Sequence, residues 1–229
     1  MENERIVMNC ENTTIPGVHA DTALENAKTE VSQRRRRTSA DDAIKAILQA
    51  TSDLMCEGAA GHINVDQVAE RAGFHKMTIY RNFGSRDGLF ERYGDWLREN
   101  ERANWYEVQK SSLLASKGGL SSFFEDLEQR LQTNSSASVR LFKLDFLFGD
   151  QVPPVRRIFE QHQKELRSLI VSLAMSSGAD DAEALTDTLL LLWRGAISAP
   201  THAPAPTENR LSRLIDQALK RYGCREAQH

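Results

Sequence analysis

The stretch Asn64-Val65-Asp66-Gln67-Val68-Ala69-Glu70-Arg71-Ala72-Gly73-Phe74-His75-Lys76-Met77-Thr78-Ile79-Tyr80-Arg81-Asn82-Phe83-Gly84-Ser85-Arg86-Asp87-Gly88-Leu89-Phe90 holds the starts of three helices. Asn64 and Gln67 have the spacing of a capping box, in which each side chain satisfies an orphan backbone donor, so a short helix is expected over Val65 to Ala72, ended by Gly73. A second short helix, about Lys76 to Asn82, stops at Phe83-Gly84. Ser85 then caps a longer one running through Leu89, Tyr93, Trp96 and Leu97. Two short helices joined by a tight turn, the second rich in donors, let one helix enter the major groove of a duplex while the first braces it on the backbone. The candidate contacts are His75, Lys76, Thr78, Tyr80 and Arg81. Lysine and arginine neutralise phosphates or donate to guanine, hydroxyls bond phosphate, and methyl groups meet thymine. No acidic residue lies between Arg71 and Arg86 in sequence.

Charge supports this reading. The chain has 229 residues and a formal net charge of -3, which excludes a globally basic nucleic-acid coat. Residues 34–86 nevertheless carry an excess of basic over acidic side chains, and the remainder is correspondingly acidic. A basic segment on an acidic body suggests one polyanion-binding surface.

Upstream, residues 1–33 are polar, interrupted by Pro16 and Gly17 and without a sustained period, and read as a flexible tail. From Asp41, the residues Ile44, Ile47, Leu48, Leu54 and Met55 share one helical face, punctuated by Gly58 and Gly61. Downstream, Leu120, Phe123, Phe124, Leu127 and Leu131 keep helical spacing, as do Val155, Ile158, Phe159, Leu166, Leu169, Ile170 and Leu173 after Pro153-Pro154. Asp180-Asp181 suits a helix N-terminus, where carboxylates favour the dipole. The segment 142–146 alternates with period two, but nothing else offers a strand to pair with it, so it is assigned to a helix. Pro200, Pro204 and Pro206 mark a loop before a last stripe, Leu211, Leu214, Ile215, Ala218, Leu219 and Tyr222.

The residues from Val65 to Phe90 closely resemble the N-terminal domain of TetR-family (tetracycline-repressor-like) transcriptional regulators. The shared features are a helix ending Val68-Ala69 … Ala72-Gly73, a short helix carrying Tyr80 and Phe83, and Ser85-Arg86-Asp87 opening a helix through Leu89. The resemblance covers about residues 41–93. It implies an all-α fold: a three-helix helix-turn-helix DNA-binding domain with a basic arm over 34–84, then a helical ligand-binding and dimerisation bundle over 85–229. Carried over position by position, it implies phosphate contact from Asn64 and Arg86, and base-edge and backbone contact from Lys76, Thr78 and Tyr80. His75 departs from the usual serine, which weakens the helix cap or replaces it by an imidazole–phosphate contact. The expected function is sequence-specific transcriptional regulation, a repressor released from a palindromic operator in double-stranded DNA by a small-molecule effector.

Other assignments compete with these. Arg34 to Arg37 reads as a solubilising tail or as an arm reaching into the minor groove, with Arg36 and Arg37 the candidate contacts. Tyr80 reads as core or as a phosphate ligand. Trp105, Phe123, Phe142, Phe146 and Trp193 read as packing or as the lining of an effector pocket, and His162 as a core or rim histidine, or as part of that lining, before a metal ligand. The helices near Glu183 to Ile197 and Glu208 to Tyr222 are expected to build a homodimer through Leu185, Leu189, Leu192, Leu211, Leu214, Ile215 and Leu219, because the first is apolar on too many faces for its own domain to cover. No metalloprotease, nucleophile-elbow, P-loop or dinucleotide motif is present, so neither an enzyme nor a cofactor is expected. The remaining alternative is a helical adaptor whose basic segment binds an acidic partner. Cys10, Cys56 and Cys224 lack any Cys-x-x-Cys spacing, and the start of the chain lacks a secretory pattern; both point to a cytoplasmic protein without disulfides or a zinc cluster, and no run is apolar enough for a membrane.

Overall fold

The computed structural model describes residues 40–57, 63–115, 119–133, 136–198 and 210–224. The expected tail over 1–33 and the arm residues Arg36 and Arg37 lie outside them. The chain divides into two units, residues 1–41 and 42–229; of the first, only Ala40 and Asp41 are described, as the opening of a helix.

Every described regular element is an α-helix: α1 Ala40–Cys56, α2 Val65–Ala72, α3 Lys76–Phe83, α4 Arg86–Ala115, α5 Gly119–Gln132, α6 Ala137–Phe148, α7 Pro153–Ser176, α8 Ala182–Ile197 and α9 Arg210–Arg221. The local chemistry explains the boundaries. Asn64 Oδ1 accepts from Gln67 N at 2.9 Å while Gln67 Oε1 accepts from Asn64 N at 3.1 Å, which completes the capping box of α2. Gly73 ends α2 at φ 73°, a left-handed conformation that costs a glycine least, and so turns the chain into α3. Ser85 Oγ accepts from Gly88 N at 2.9 Å at the head of α4. Asp181 caps α8 through Ala184 N at 2.9 Å, and α7 opens on prolines, whose fixed φ suits a first turn. The alternating segment 142–146 is the middle of α6.

Two hydrophobic cores form within residues 42–229. The first joins α1, α2 and α3 to the start of α4, and extends onto Leu141, Leu144 and Phe148 of α6 and Val155 of α7. The second gathers Trp105, Phe123, Phe124, Leu166, Ile170, Leu189, Trp193 and Ile215 from α4, α5, α7, α8 and α9. Helix α4 threads both. Where it crosses α6 and α7, Gly94 is buried, and a Cβ there would lie 3.3 Å from a Leu144 methyl and 3.4 Å from an Ile158 methyl. The absent side chain sets how closely the helices approach.

Glu128 of α5 anchors α9. Its carboxylate, buried at 6% exposure, accepts from Leu211 N at 3.2 Å and Ser212 N at 3.1 Å and also receives the Ser212 hydroxyl. A side chain from another helix thus serves the orphan donors at the α9 N-terminus. Glu128→Ala leaves those donors unsatisfied and is expected to cost about 2–3 kcal/mol, at ~1–3 kcal/mol per abandoned buried group. Urea unfolding checks this, and an unchanged midpoint counts against the anchor.

Candidate nucleic-acid interface

The α2–turn–α3 unit presents one helix outward. Ile79, at 0% exposure, pins α3 to the first core, and Tyr80 and Phe83 pack partly against the same core. The opposite face leaves His75, Lys76, Met77 and Arg81 exposed and Thr78 half-buried. Asn82 Nδ2 donates to the Thr78 carbonyl at 2.8 Å, which closes the last turn. His75 occupies the cap position of α3 without a side-chain capping bond, so its imidazole is uncommitted to the helix start.

Three of the expected contacts carry partners of their own. Lys76 Nζ lies 2.9 Å from Asp66 Oδ2 of α2, and this hydrogen bond raises the lysine above its ordinary pKa. The stretch around α3 has no acid in sequence, yet the turn folds one back onto it. Arg86 stacks its guanidinium over two rings, 4.9 Å from the centroid of Phe90 and 5.1 Å from that of Phe148. Those rings are themselves stacked at 4.3 Å. Asn64 spends its side-chain oxygen on the capping box.

Met77, 73% exposed, was not among the expected contacts. An exposed methionine in the first turn of a donor-bearing helix suits a thymine methyl; an apolar side chain set between Lys76 and Thr78 was the available signal. Arg71, which flanks the unit, makes a two-pronged pair with Glu57 at 2.7 and 2.8 Å that ties α2 to the end of α1.

The expected effector lining divides. Trp105, Phe123 and His162 come together: Trp105 stacks on His162 at 5.2 Å and meets Phe123 edge-on at 6.4 Å. Trp193, 1% exposed, belongs to the same core. Phe142 is half-buried and stacks on Phe146 at 6.5 Å. Phe146 itself is 78% exposed and lines no interior space: α6 buries the stripe of Leu141, Leu144 and Phe148, which turns Phe146 to solvent. The polar residues among these aromatics, Glu101 and Ser138, were absent from the expected set. Their signal was an acid at the fourth step of the α4 series Leu89, Tyr93, Leu97, Glu101, Trp105, all of which are buried.

Of the expected interface residues, Leu185, Leu189, Leu211, Ile215 and Leu219 are buried inside the chain itself. Leu192 is half-buried and Leu214 is 39% exposed. Leu191 of α8, at 69% exposure, is the more open apolar side chain. Among the described residues no helix is long and apolar enough to cross a membrane, and no group of three His, Cys, Asp or Glu side chains gathers to hold a metal.

A short outward helix braced across a glycine turn defines a helix-turn-helix DNA-binding protein, here with a helical body behind it. Residues 47–93 match the N-terminal model of the tetR family of bacterial regulatory proteins. The chain is 27% identical over 184 residues to the HTH-type transcriptional regulator AlkX of Mycobacterium tuberculosis, covering 78% of this chain and 85% of that one. A transcriptional regulator from Rhodococcus sp. Rha1 superposes with a TM-score of 0.65 at 20% identity, over 78% of this chain and 95% of its own. A TetR transcription regulator from Haloarcula marismortui gives 0.57 at 18% identity, over 80% and 95%. These two structures speak for the fold.

Proposed function

We propose that this regulator reads a palindromic operator as a homodimer, represses the adjacent gene while bound, and is released by a small molecule taken up in the helical body. The observation that carries the reading is the outward face of α3, where Lys76, Met77, Thr78 and Arg81 stand clear of the core that holds Ile79. Lys76 and Arg81 serve phosphates and guanine edges, and Met77 and the Thr78 methyl serve thymine. Asn64, His75, Tyr80 and Arg86 flank this face and contact the backbone. The direct experiment is selection of bound duplexes from a random pool. Enrichment of an inverted repeat with half-site centres one helical turn apart, about 34–36 Å, supports both the reading heads and their pairing; enrichment of no sequence removes the proposal and favours the adaptor alternative.

The Lys76–Asp66 pair sets a further expectation. To meet a phosphate Lys76 must leave Asp66, so the acid competes with DNA for the same cation. Asp66→Asn is expected to raise affinity and to steepen the dependence of log K on log salt by up to about one unit. In that background Lys76→Ala is expected to flatten the slope by about one unit, and more than it does in the unaltered protein. Fluorescence anisotropy across a salt series checks both. Equal slopes in all variants would take Lys76 out of the interface.

A further inference from the structure

Helices α4 and α7 run in the same direction where they pack: Gly94 lies beside Ile158, and further along both helices Trp105 stacks on His162. Between them a groove of ≈ 400 Å³ opens to solvent, within the roughly 300–1,000 Å³ usual for small-molecule sites. Arg102, Trp105 and Tyr106 of α4 line one side, and Lys164, Glu165 and Leu169 of α7 line the other. The i, i+3, i+4 spacing of the first three turns one face of α4 to the groove.

The groove has a charged end and an apolar end. Arg102 and Lys164 precede Tyr106 and Leu169 by about one turn of their helices, a separation of roughly 6–8 Å at ~1.5 Å per residue. At the apolar end Leu169 is half-buried, and the Tyr106 ring is 65% exposed with no apolar cover. Trp105, at 5% exposure, joins it to the core behind.

At the charged end the cations outnumber the acids. Glu165 Oε1 accepts from Arg98 Nη1 at 2.8 Å and from Gln161 Nε2 at 2.9 Å, while Arg98 also lies 3.6 Å from Asp95. Arg102 stands at the margin of this group, its Nε 3.9 Å from Glu165 Oε2, too far for a hydrogen bond, and its side chain 60% exposed. Lys164 has no ion pair among the described residues. Three cations, Arg98, Arg102 and Lys164, thus stand against two acids, Asp95 and Glu165. A cation entering here adds to an excess of its own sign. An anion reduces that excess, and the planar guanidinium of Arg102 offers a fork that matches a carboxylate.

We propose that the α4–α7 groove takes a small amphipathic anion, a carboxylate on an apolar or aromatic body, with the carboxylate between Arg102 and Lys164 and the body laid along Trp105, Tyr106 and Leu169. This rests on the ligand-responsive reading above and names the class of its effector. The carboxylate supplies the charge that the polar end lacks, and the body covers apolar surface that the fold leaves to water. A neutral molecule of the same shape gains only the second, and a cationic one is opposed by the first.

The test uses the full chain and three probes of one shape: 4-phenylbutyrate, 4-phenyl-1-butanol and 4-phenylbutylamine. Titration calorimetry at neutral pH and low salt is expected to show the butyrate binding about tenfold tighter than the alcohol, a few-fold from each exposed ion pair, with the amine weakest. Raising the salt from about 0.05 to about 0.5 M is expected to shrink that preference, because both cations stand in water where added ions screen them. Arg102→Gln combined with Lys164→Gln exchanges two exposed charges for amides and so keeps the fold, which an unchanged circular dichroism melt verifies. This double variant is expected to bind the butyrate within about twofold of the alcohol, the ion pairs being gone, while binding the alcohol as before. Tyr106→Ala is expected to weaken butyrate and alcohol alike, by about threefold or more, through the lost apolar contact. A butyrate no tighter than the alcohol or the amine overturns the proposal. So does a preference that survives in the double variant, which puts the anion on another basic surface such as α3, or binding that Tyr106→Ala leaves unchanged. The same butyrate titrated against an operator complex addresses the regulatory reading separately, because binding that leaves DNA affinity unchanged removes the effector role and keeps the site.

Discussion

Phe148→Ala is expected to lower folding stability by about 3–5 kcal/mol, the usual cost of deleting a buried phenyl ring, and to weaken DNA binding in the same protein. Phe148 is 4% exposed and belongs to the first core, stacked on Phe90 at 4.3 Å and lying under the Arg86 guanidinium at 5.1 Å. The ring therefore has two roles, packing α6 against α4 and holding a cation at the edge of the DNA-reading unit. Urea unfolding measures the first as a fall in midpoint. The second is isolated by Phe148→Leu, which keeps most of the apolar volume at a cost under about 1.5 kcal/mol but removes the ring face. Operator affinity of this variant, measured where it is fully folded, is expected to fall about 2- to 30-fold, the equivalent of the ~0.5–2 kcal/mol carried by such a contact. Unchanged affinity would mean that Arg86 needs no support from α6.

The second large effect concerns assembly. Leu191 and Leu214 are exposed at 69% and 39% on α8 and α9, and their replacement by aspartate, Leu191→Asp with Leu214→Asp, is expected to yield monomers by sedimentation. Operator affinity should drop about 100- to 10,000-fold, because linking two reading heads on one duplex multiplies their affinities by an effective concentration that a monomer forfeits. Exposed positions away from the core change stability by only about 0.5 kcal/mol, so the circular dichroism spectrum and melting behaviour should stay those of the parent. A double variant that remains dimeric places the contact on another face.

Much of the DNA-reading unit was legible in the sequence because its determinants are local. Asn64 and Gln67 announce α2, Gly73 ends it, and Ser85 opens α4, each through bonds within three or four residues of the chain. What escaped was tertiary. Asp66 reaches Lys76 only because the turn folds α2 across α3, and Arg86 finds Phe148 across 62 positions of sequence that no period records. The Leu185 and Leu189 stripe looked too apolar for one chain to bury, but α7 and α9 cover it on two sides. The i, i+4 pair Phe142 and Phe146 carried no mark to show that α6 buries a different stripe. Glu101 was visible as a polar break in an apolar series, but a lone acid in a helix is ordinarily a solvated one, and only burial separates the two cases.

Gly94 gives α4 the properties of a beam on a fulcrum. At this point the Leu144 and Ile158 methyls lie against the bare backbone of the helix. From there Arg86 lies eight residues toward one end and Glu101 seven toward the other, spans of about 12 and 10 Å at ~1.5 Å per residue. A rigid rod rocking on that contact moves its two ends in opposite directions by nearly equal amounts. An ångström of travel at the buried carboxyl is thus returned, reversed and barely diminished, at Arg86.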